Sequence, residues 1–360
     1  MLEKSIFLGV FGDTVKTLRQ QTGGLKMCTS IAMTGNEFYF GRNLDLEYSF
    51  GEQVAVTPRN YPLHFRNGEK QEHHYAIIGM AAGEKSYPLY AEAANEKGLC
   101  MAGLNFPGNA CYRAPEAGKI NVASWELIPY LLGSCAFVEE AEVILKNLCV
   151  TDEAFSSQMP PAPLHWMLAD RERCLVLEAV EEGLKIYENP FGVLTNNPPF
   201  PYHRENMRNY LNLTAGSPDN RVSGELELIP YGQGMGALGL PGDASPASRF
   251  VKTVFLKYNS VTEKEEGNAA ETEPAEITEF FHILEQVGMI RGMVRTPEGR
   301  CDITLYSSCI CPETGMYYFR TYGDSRIQAV DLREENPDGS ALSFCEPESR
   351  QQIFLRRTSR

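Results

Sequence analysis

No run of apolar residues in this 360-residue chain approaches the roughly 20 needed to cross a bilayer, so an α-helical membrane span is excluded. It also lacks a Cys-x-x-Cys pair. Of its ten cysteines, Cys309 and Cys311 alternate along a strand-like stretch and lack zinc spacing, so no metal is expected. No secretory signal is legible. Ser5 to Phe11 is a short apolar run after Lys4, but Asp13 follows at once and no small-residue cleavage site precedes Cys28. The thiols are therefore expected to be reduced and the protein cytoplasmic. Positive charge is the minority: 33 Lys and Arg against 47 Asp and Glu leave a net charge of −14, which excludes general binding to nucleic acid or an anionic membrane surface. An anionic substrate must then be met by local arginines. No internal repeat and no linker divides the chain. Gly234 to Gly239 has dinucleotide-fingerprint spacing, yet it neither follows a strand nor opens a helix, and Pro241 lies close behind; no cofactor is expected.

What is present is an ordinary globular composition, 43% hydrophobic and 22% charged. Strand patterns over Thr29–Met33, Glu37–Gly41, Val54–Thr57, Tyr75–Ala81, Leu89–Ala93 and Leu99–Leu104 precede two helical patterns, Val122–Leu132 and Val138–Leu148. Strands return at His165–Leu168, Cys174–Ala179, Leu184–Tyr187 and Gly192–Thr195. Helices are predicted over Tyr202–Leu211, Ala247–Tyr258 and Ala275–Val287, with an acidic connection from Thr262 to Pro274. Three strands follow, at Ile303–Ile310, Met316–Tyr322 and Ile327–Asp331, then a polar tail. Strands in runs and helices in pairs favour an α+β architecture of antiparallel sheets covered by helix pairs over alternating βα units.

The chain is organised around Met27-Cys28-Thr29. A turn at Thr34-Gly35-Asn36 closes a hairpin in which residues summing to about seventy face each other, placing Cys28 opposite Arg42, with Asp45 one step beyond. Removing Met27 would make Cys28 the first residue, carrying both a thiol and an α-amine whose unperturbed pKa of roughly 7.7–8 suits general-base work. Residues 1–27, either an upstream start or a propeptide, are expected to be absent from the active enzyme, leaving a single domain over 28–360. His165 reads as a satisfied core residue, and His73-His74 as a solvated pair.

These residues carry a resemblance. Met27-Cys28-Thr29, Gly41-Arg42-Asn43-Leu44-Asp45, Asn95-Glu96-Lys97-Gly98-Leu99, Gly103-Leu104-Asn105-Phe106-Pro107, Leu164-His165-Trp166-Met167, Val193-Leu194-Thr195-Asn196-Asn197-Pro198 and Pro246-Ala247-Ser248-Arg249-Phe250 occur in the order of the choloylglycine hydrolase family. That family holds the bile salt hydrolases and penicillin V acylases within the N-terminal-nucleophile hydrolases. The resemblance implies a four-layer αββα sandwich, conjugated bile salts as substrates and a tetramer, which the long excursion from Thr214 to Leu240 could serve. It implies Cys28 as nucleophile, Asp45 as the carboxylate orienting the amine, and Arg42 and Arg249 as the site's arginines. Asn196 and Asn105 become the oxyanion hole; asparagine at 105 resembles the bile salt hydrolases, where penicillin V acylases tend to have tyrosine. Leu44 and the loops Ala82–Pro88 and Ala154–Pro163 are candidate walls of a steroid pocket. The N-terminal extension departs from the family pattern. The rivals are a penicillin V acylase and a non-catalytic bile-acid binder in which the leader stays attached.

Overall fold

The computed structural model describes residues 27–82, 86–262 and 269–358. Its first two strands, β1 (Met27–Thr34) and β2 (Phe38–Leu46), form the hairpin. They lie in an antiparallel sheet ordered Val193–Leu194, β1, β2, Cys301–Cys311, Met316–Thr321, Asp324–Asp331. A second antiparallel sheet runs Gly183–Glu188, Cys174–Val180, Leu164–Ala169, Cys100–Asn105, Leu89–Asn95, Ile77–Ala82, Glu52–Thr57, Ser343–Cys345. The inner faces meet through Phe40, Leu44, Met80, Met167 and Tyr306, a core that also takes in the side chain of Cys28. Outside the second sheet, Leu127–Ser134 and Val138–Leu145 bury Leu131, Val138 and Leu145 against Trp166 and Leu177. Outside the first, Ala269–Glu285 packs Phe280, Phe281 and Leu284 on Ile31 and Tyr39, and Pro246–Asn259 is its neighbour. Helix, sheet, sheet, helix: the expected four layers are present.

The hairpin's register differs from the one expected. The turn is Gly35-Asn36-Glu37, closed by Gly35 N–H donating to Glu37 O at 2.9 Å, so facing residues sum to 72. Cys28 therefore faces Leu44, Arg42 faces Ser30, and Asp45 faces Met27 from within the strand, not from a loop. Because side chains alternate with period two, a slip of two leaves Cys28 and Arg42 on the same inner face. The Glu276 carboxylate sets this turn, accepting from Asn36 N–H and Tyr39 Oη–H, both at 2.8 Å.

Three helix expectations need correction. Ile120–Ala123 is a strand paired in parallel with Leu148–Thr151, and the helix begins only at Leu127. The β-branched Ile120, Val122 and Val150 suit that ladder, and Glu126 stops the strand by accepting from Ala123 N–H at 3.0 Å. At the other end of the chain, the final long helix starts at Ala269, before Pro274, since Ala269 and Ala270 are strong helix formers. The rest of that acidic connection, 263–268, lies outside the described residues, as does the leader, 1–26. Phe200–Asn206 is a shorter helix than expected and tightens into a 3₁₀ turn over Met207–Tyr210.

Candidate active site

Cys28 lies on β1, only 4% exposed, where the sheet meets the start of the Pro246–Asn259 helix. That helix is opened by Ser245, whose Oγ accepts from Ser248 N–H, followed by Pro246 at the first helical position. Asp243 accepts from Ser245 N–H at 2.9 Å and Ser248 Oγ–H at 2.6 Å, and these bonds hold its carboxyl down at about 2. The capped start fixes Arg249 one turn in. Its guanidinium is buried, not on the helix surface, and its fork reaches three acceptors. Nη1 donates to Cys28 O at 2.5 Å and Thr29 Oγ1 at 2.6 Å, and Nη2 donates to Asn196 Oδ1 at 2.7 Å. Burial lowers its proton affinity, while Asp45 and Cys28 oppose that loss; a guanidinium stays charged regardless.

Asn196 follows the short strand Val193–Leu194 that pairs with β1. Its Oδ1 accepts from Cys28 N–H at 2.9 Å as well as from Arg249, and its Nδ2 donates to Asn105 O at 2.8 Å. The amide is thus oriented unambiguously, with a second N–H remaining on Nδ2. The backbone on either side is pinned too. His203 Nε2 donates to Asn196 O at 2.9 Å, and His165 Nε2 contacts Thr195 O at 3.0 Å. His203 stacks on Phe250 with ring centres 4.8 Å apart, and burial pushes its pKa down to about 4, so it is neutral at physiological pH. His165 is a satisfied core residue, its Nδ1 lying 3.2 Å from Glu178 Oε1.

On β2, the Asp45 carboxylate is wholly buried. Thr304 Oγ1 donates to its Oδ1 at 2.6 Å, while Oδ2 has no partner among the described residues. Burial raises its pKa to about 6, against the pull of Arg249, the Thr304 hydroxyl and Arg42. Arg42 crosses between the sheets and donates from Nη1 to Gly103 O at 2.6 Å and Ala91 O at 3.1 Å. Burial works against its charge, but Cys28, Tyr306, Glu92 and Asp45 more than offset this and hold it above the ordinary range. Its Nη2 is buried with no partner among the described residues.

The fold therefore brings Cys28, Arg42, Asp45, Asn105, Asn196 and Arg249 into one neighbourhood from separate stretches of sequence. Sequence reasoning missed Thr29, Thr304 and His203; nothing in a lone threonine or histidine on a strand or helix marks it beforehand. Leu44 lies directly across from Cys28 and is 6% exposed. The two candidate wall loops meet through an aromatic trio: Trp125 is edge-on to both Tyr87 and Phe155 at 5.0 Å. Residues 83–85 of the first loop fall outside the described residues. Among the described residues, no group of three or more His, Cys, Asp or Glu side chains is placed to hold a metal ion.

Residues 28–344 match the family model for linear amide C–N hydrolases of the choloylglycine hydrolase family. A bile salt hydrolase/transferase of Lactiplantibacillus plantarum is 47% identical over 88% of this chain and 95% of its own length. A conjugated bile acid hydrolase of Lactobacillus gasseri is 37% identical over 88% of this chain and 99% of its own. Among solved structures, a conjugated bile acid hydrolase from Clostridium perfringens superposes with a TM-score of 0.83 at 36% identity, covering 92% of this chain and 100% of that one. A penicillin V acylase from Agrobacterium tumefaciens shares the fold, with a TM-score of 0.68 at 18% identity over 89% of this chain and 91% of that one.

Proposed function

Because the chain belongs to the choloylglycine hydrolase family of linear amide C–N hydrolases, we propose that it hydrolyses glycine- or taurine-conjugated bile salts through a thioester on Cys28. The observation that carries this reading is the convergence on Cys28 of Arg249 and Asn196, with the buried Asp45 carboxylate facing Met27 and one of its oxygens without a partner among the described residues. With Met27 gone, the nitrogen of Cys28 becomes an amine. It can keep its donation to Asn196 Oδ1 and has a second acceptor in Asp45 Oδ2, on the residue that faces Met27. Ionised Asp45 orients that amine. The amine takes the thiol proton, directly or through a water, as sulfur attacks the amide carbonyl. The remaining N–H of Asn196 and a donor from Asn105 hold the oxyanion, a role in which one donor contributes roughly 2.7–4 kcal/mol. The protonated amine then gives its proton to the departing glycine or taurine, and water hydrolyses the thioester. Arg42 favours the thiolate, and Arg249 fixes the backbone of the nucleophile. The same thioester can be intercepted by another amine, which would give acyl transfer.

The test is release of glycine or taurine from the conjugates by a chain beginning at Cys28, against no release by Cys28→Ala. Phenoxyacetyl amide cleavage that outpaces the bile salt reaction would favour the penicillin V acylase reading. Binding without turnover by the processed chain would favour the binder. Excess amine yielding no new amide would remove the acyl-transfer step. A cytoplasmic tetramer completes the proposal; the exposure of Ile229 (73%) and Tyr231 (87%) on the Thr214–Leu240 excursion supports self-association. No helix among the described residues is long and apolar enough to cross a membrane.

A further inference from the structure

Behind Arg42, between the two sheets, lies a second ionisable group that the proposed chemistry does not use. Glu92, on the strand Leu89–Asn95, is fully buried. Each of its carboxylate oxygens takes one phenol from the opposite sheet: Tyr317 Oη–H donates to Oε1 at 2.6 Å, and Tyr306 Oη–H to Oε2 at 2.7 Å. Arg42 Nη1 stands 3.8 Å from Oε2, within Coulombic reach but beyond a hydrogen bond. That nitrogen is instead committed to the carbonyls of Ala91 and Gly103.

Two irregularities in the sheets assemble this group. Between Glu92–Met80 and Tyr90–Ala81 the ladder skips Ala91, an extra residue whose carbonyl is one that Arg42 uses. Between Thr304–Asp45 and Tyr306–Leu44 the other sheet skips Leu305. That bulge lets Thr304 reach Asp45 while Tyr306, across from Leu44, reaches Glu92. Bulges re-aim side chains and are over-represented next to active sites. A buried ion pair adds little net stability on its own, and an apolar replacement of similar volume often serves as well or better. The placement of this carboxylate therefore asks for a reason beyond stability.

We infer that Glu92, which accepts a hydrogen bond from each of Tyr306 and Tyr317, is a positioning residue that seats the Arg42 guanidinium and limits how much of its charge reaches the sulfur of Cys28. Arg42 lies on the same inner face as Cys28, two residues along the hairpin from the position opposite it. The charged side chains that act on the Cys28 side chain are Arg42 from β2 and Arg249 from the helix, while Asp45 lies on the opposite face of β2, across from Met27. Those facing Glu92 are Arg42, Tyr306 and Tyr317. Among the described residues Glu92 is the one carboxylate that reaches Arg42 from the opposite sheet, and its negative charge partly cancels the positive field of that guanidinium. Attenuation suits the attacking step, since a thiolate that is too stable is a weaker nucleophile.

This inference rests on Cys28 being the nucleophile, and the test separates the two. The rate at which iodoacetamide alkylates Cys28 is followed against pH by peptide mapping of the processed enzyme, with no bile salt present. In Glu92→Gln the midpoint of that profile is expected about one pH unit lower than in wild type. In Glu92→Asp, which keeps the charge, it is expected to return toward wild type. A midpoint unmoved or raised in Glu92→Gln overturns the inference, because a merely structural carboxylate would change stability without changing the profile. Should Glu92→Gln give no soluble enzyme, the double variant Tyr306→Phe, Tyr317→Phe decides. It strips the carboxylate of both donors, drives it toward its neutral form, and is expected to move the midpoint down as well; no movement overturns the inference. A wild-type Cys28 that resists alkylation across the whole range contradicts the nucleophile reading instead.

Discussion

Arg249 is the residue on which most of the site's geometry depends, since one planar fork reaches the carbonyl of Cys28, the hydroxyl of Thr29 and the amide oxygen of Asn196. A lysine keeps the charge but cannot span three acceptors from a single ammonium. Arg249→Lys is expected to lower kcat about 100-fold, as two charge-assisted bonds are lost, with KM changing far less; steady-state kinetics checks this. Asp45 governs the acid side. Only its ionised form stabilises the ammonium that forms when the amine takes the thiol proton, so kcat/KM is expected to fall as pH drops through about 6. Thr304→Val removes the hydroxyl that favours the ionised form and should move that limb upward. The stability effect has the opposite sign. A carboxyl whose folded pKa is raised contributes stability below the ordinary value near 3.8, and that contribution is lost as pH rises through about 6. Denaturant midpoints across pH 4–7 should show the enzyme giving up folding stability at this group where it gains activity.

At the scale of elements, the nucleophile's hairpin is held by contact on both sides. Gly41 is the tight point: a Cβ there would fall 2.0 Å from Ser308 O, on the backbone of the adjoining strand, where no side chain can move aside. Gly41→Ala is expected to cost about 2–4 kcal/mol and to weaken pairing between β2 and Cys301–Cys311, read as a lowered midpoint in thermal or denaturant unfolding. Much of this was legible beforehand. Alternation marked β1, and Met27-Cys28 with Arg42 and Asp45 marked the chemistry. The register differs by two because the turn closed by Gly35 N–H and Glu37 O is also braced by Glu276, 240 residues from Asn36, which no local turn rule contains. Period two protected the functional conclusion, since Cys28 and Arg42 kept their shared face. The strand Ile120–Ala123 was misread for a related reason. Its parallel partner lies beyond a helix pair, and the apolar spacing alone cannot tell a buried strand from a helix turn. Thr304, Glu92 and the two tyrosines were invisible in sequence because sheet bulges, not residue types, bring them to the site.

For the whole molecule, a net charge of −14 means that nothing global draws in an anionic bile salt. The two arginines nearest the nucleophile are both about 1% exposed and largely engaged with backbone oxygens. They serve the nucleophile and the oxyanion more than long-range capture, so kcat/KM should depend only weakly on ionic strength. Val222, Ile229 and Tyr231 are 73–87% exposed, and the proposed tetramer would cover them. Paired substitutions Ile229→Glu and Tyr231→Glu are expected to convert that proposed tetramer to a smaller species in light scattering, while the fold persists by circular dichroism. All of this depends on one nitrogen. In the described chain it is a peptide N–H bonded to Asn196 Oδ1, and Met27 faces Asp45. Intact-protein mass spectrometry of a fully active preparation, paired with turnover of a conjugated bile salt, tests it directly. The mass is expected to begin at Cys28, with activity proportional to that species; full turnover by protein that still carries Met27 would contradict the account.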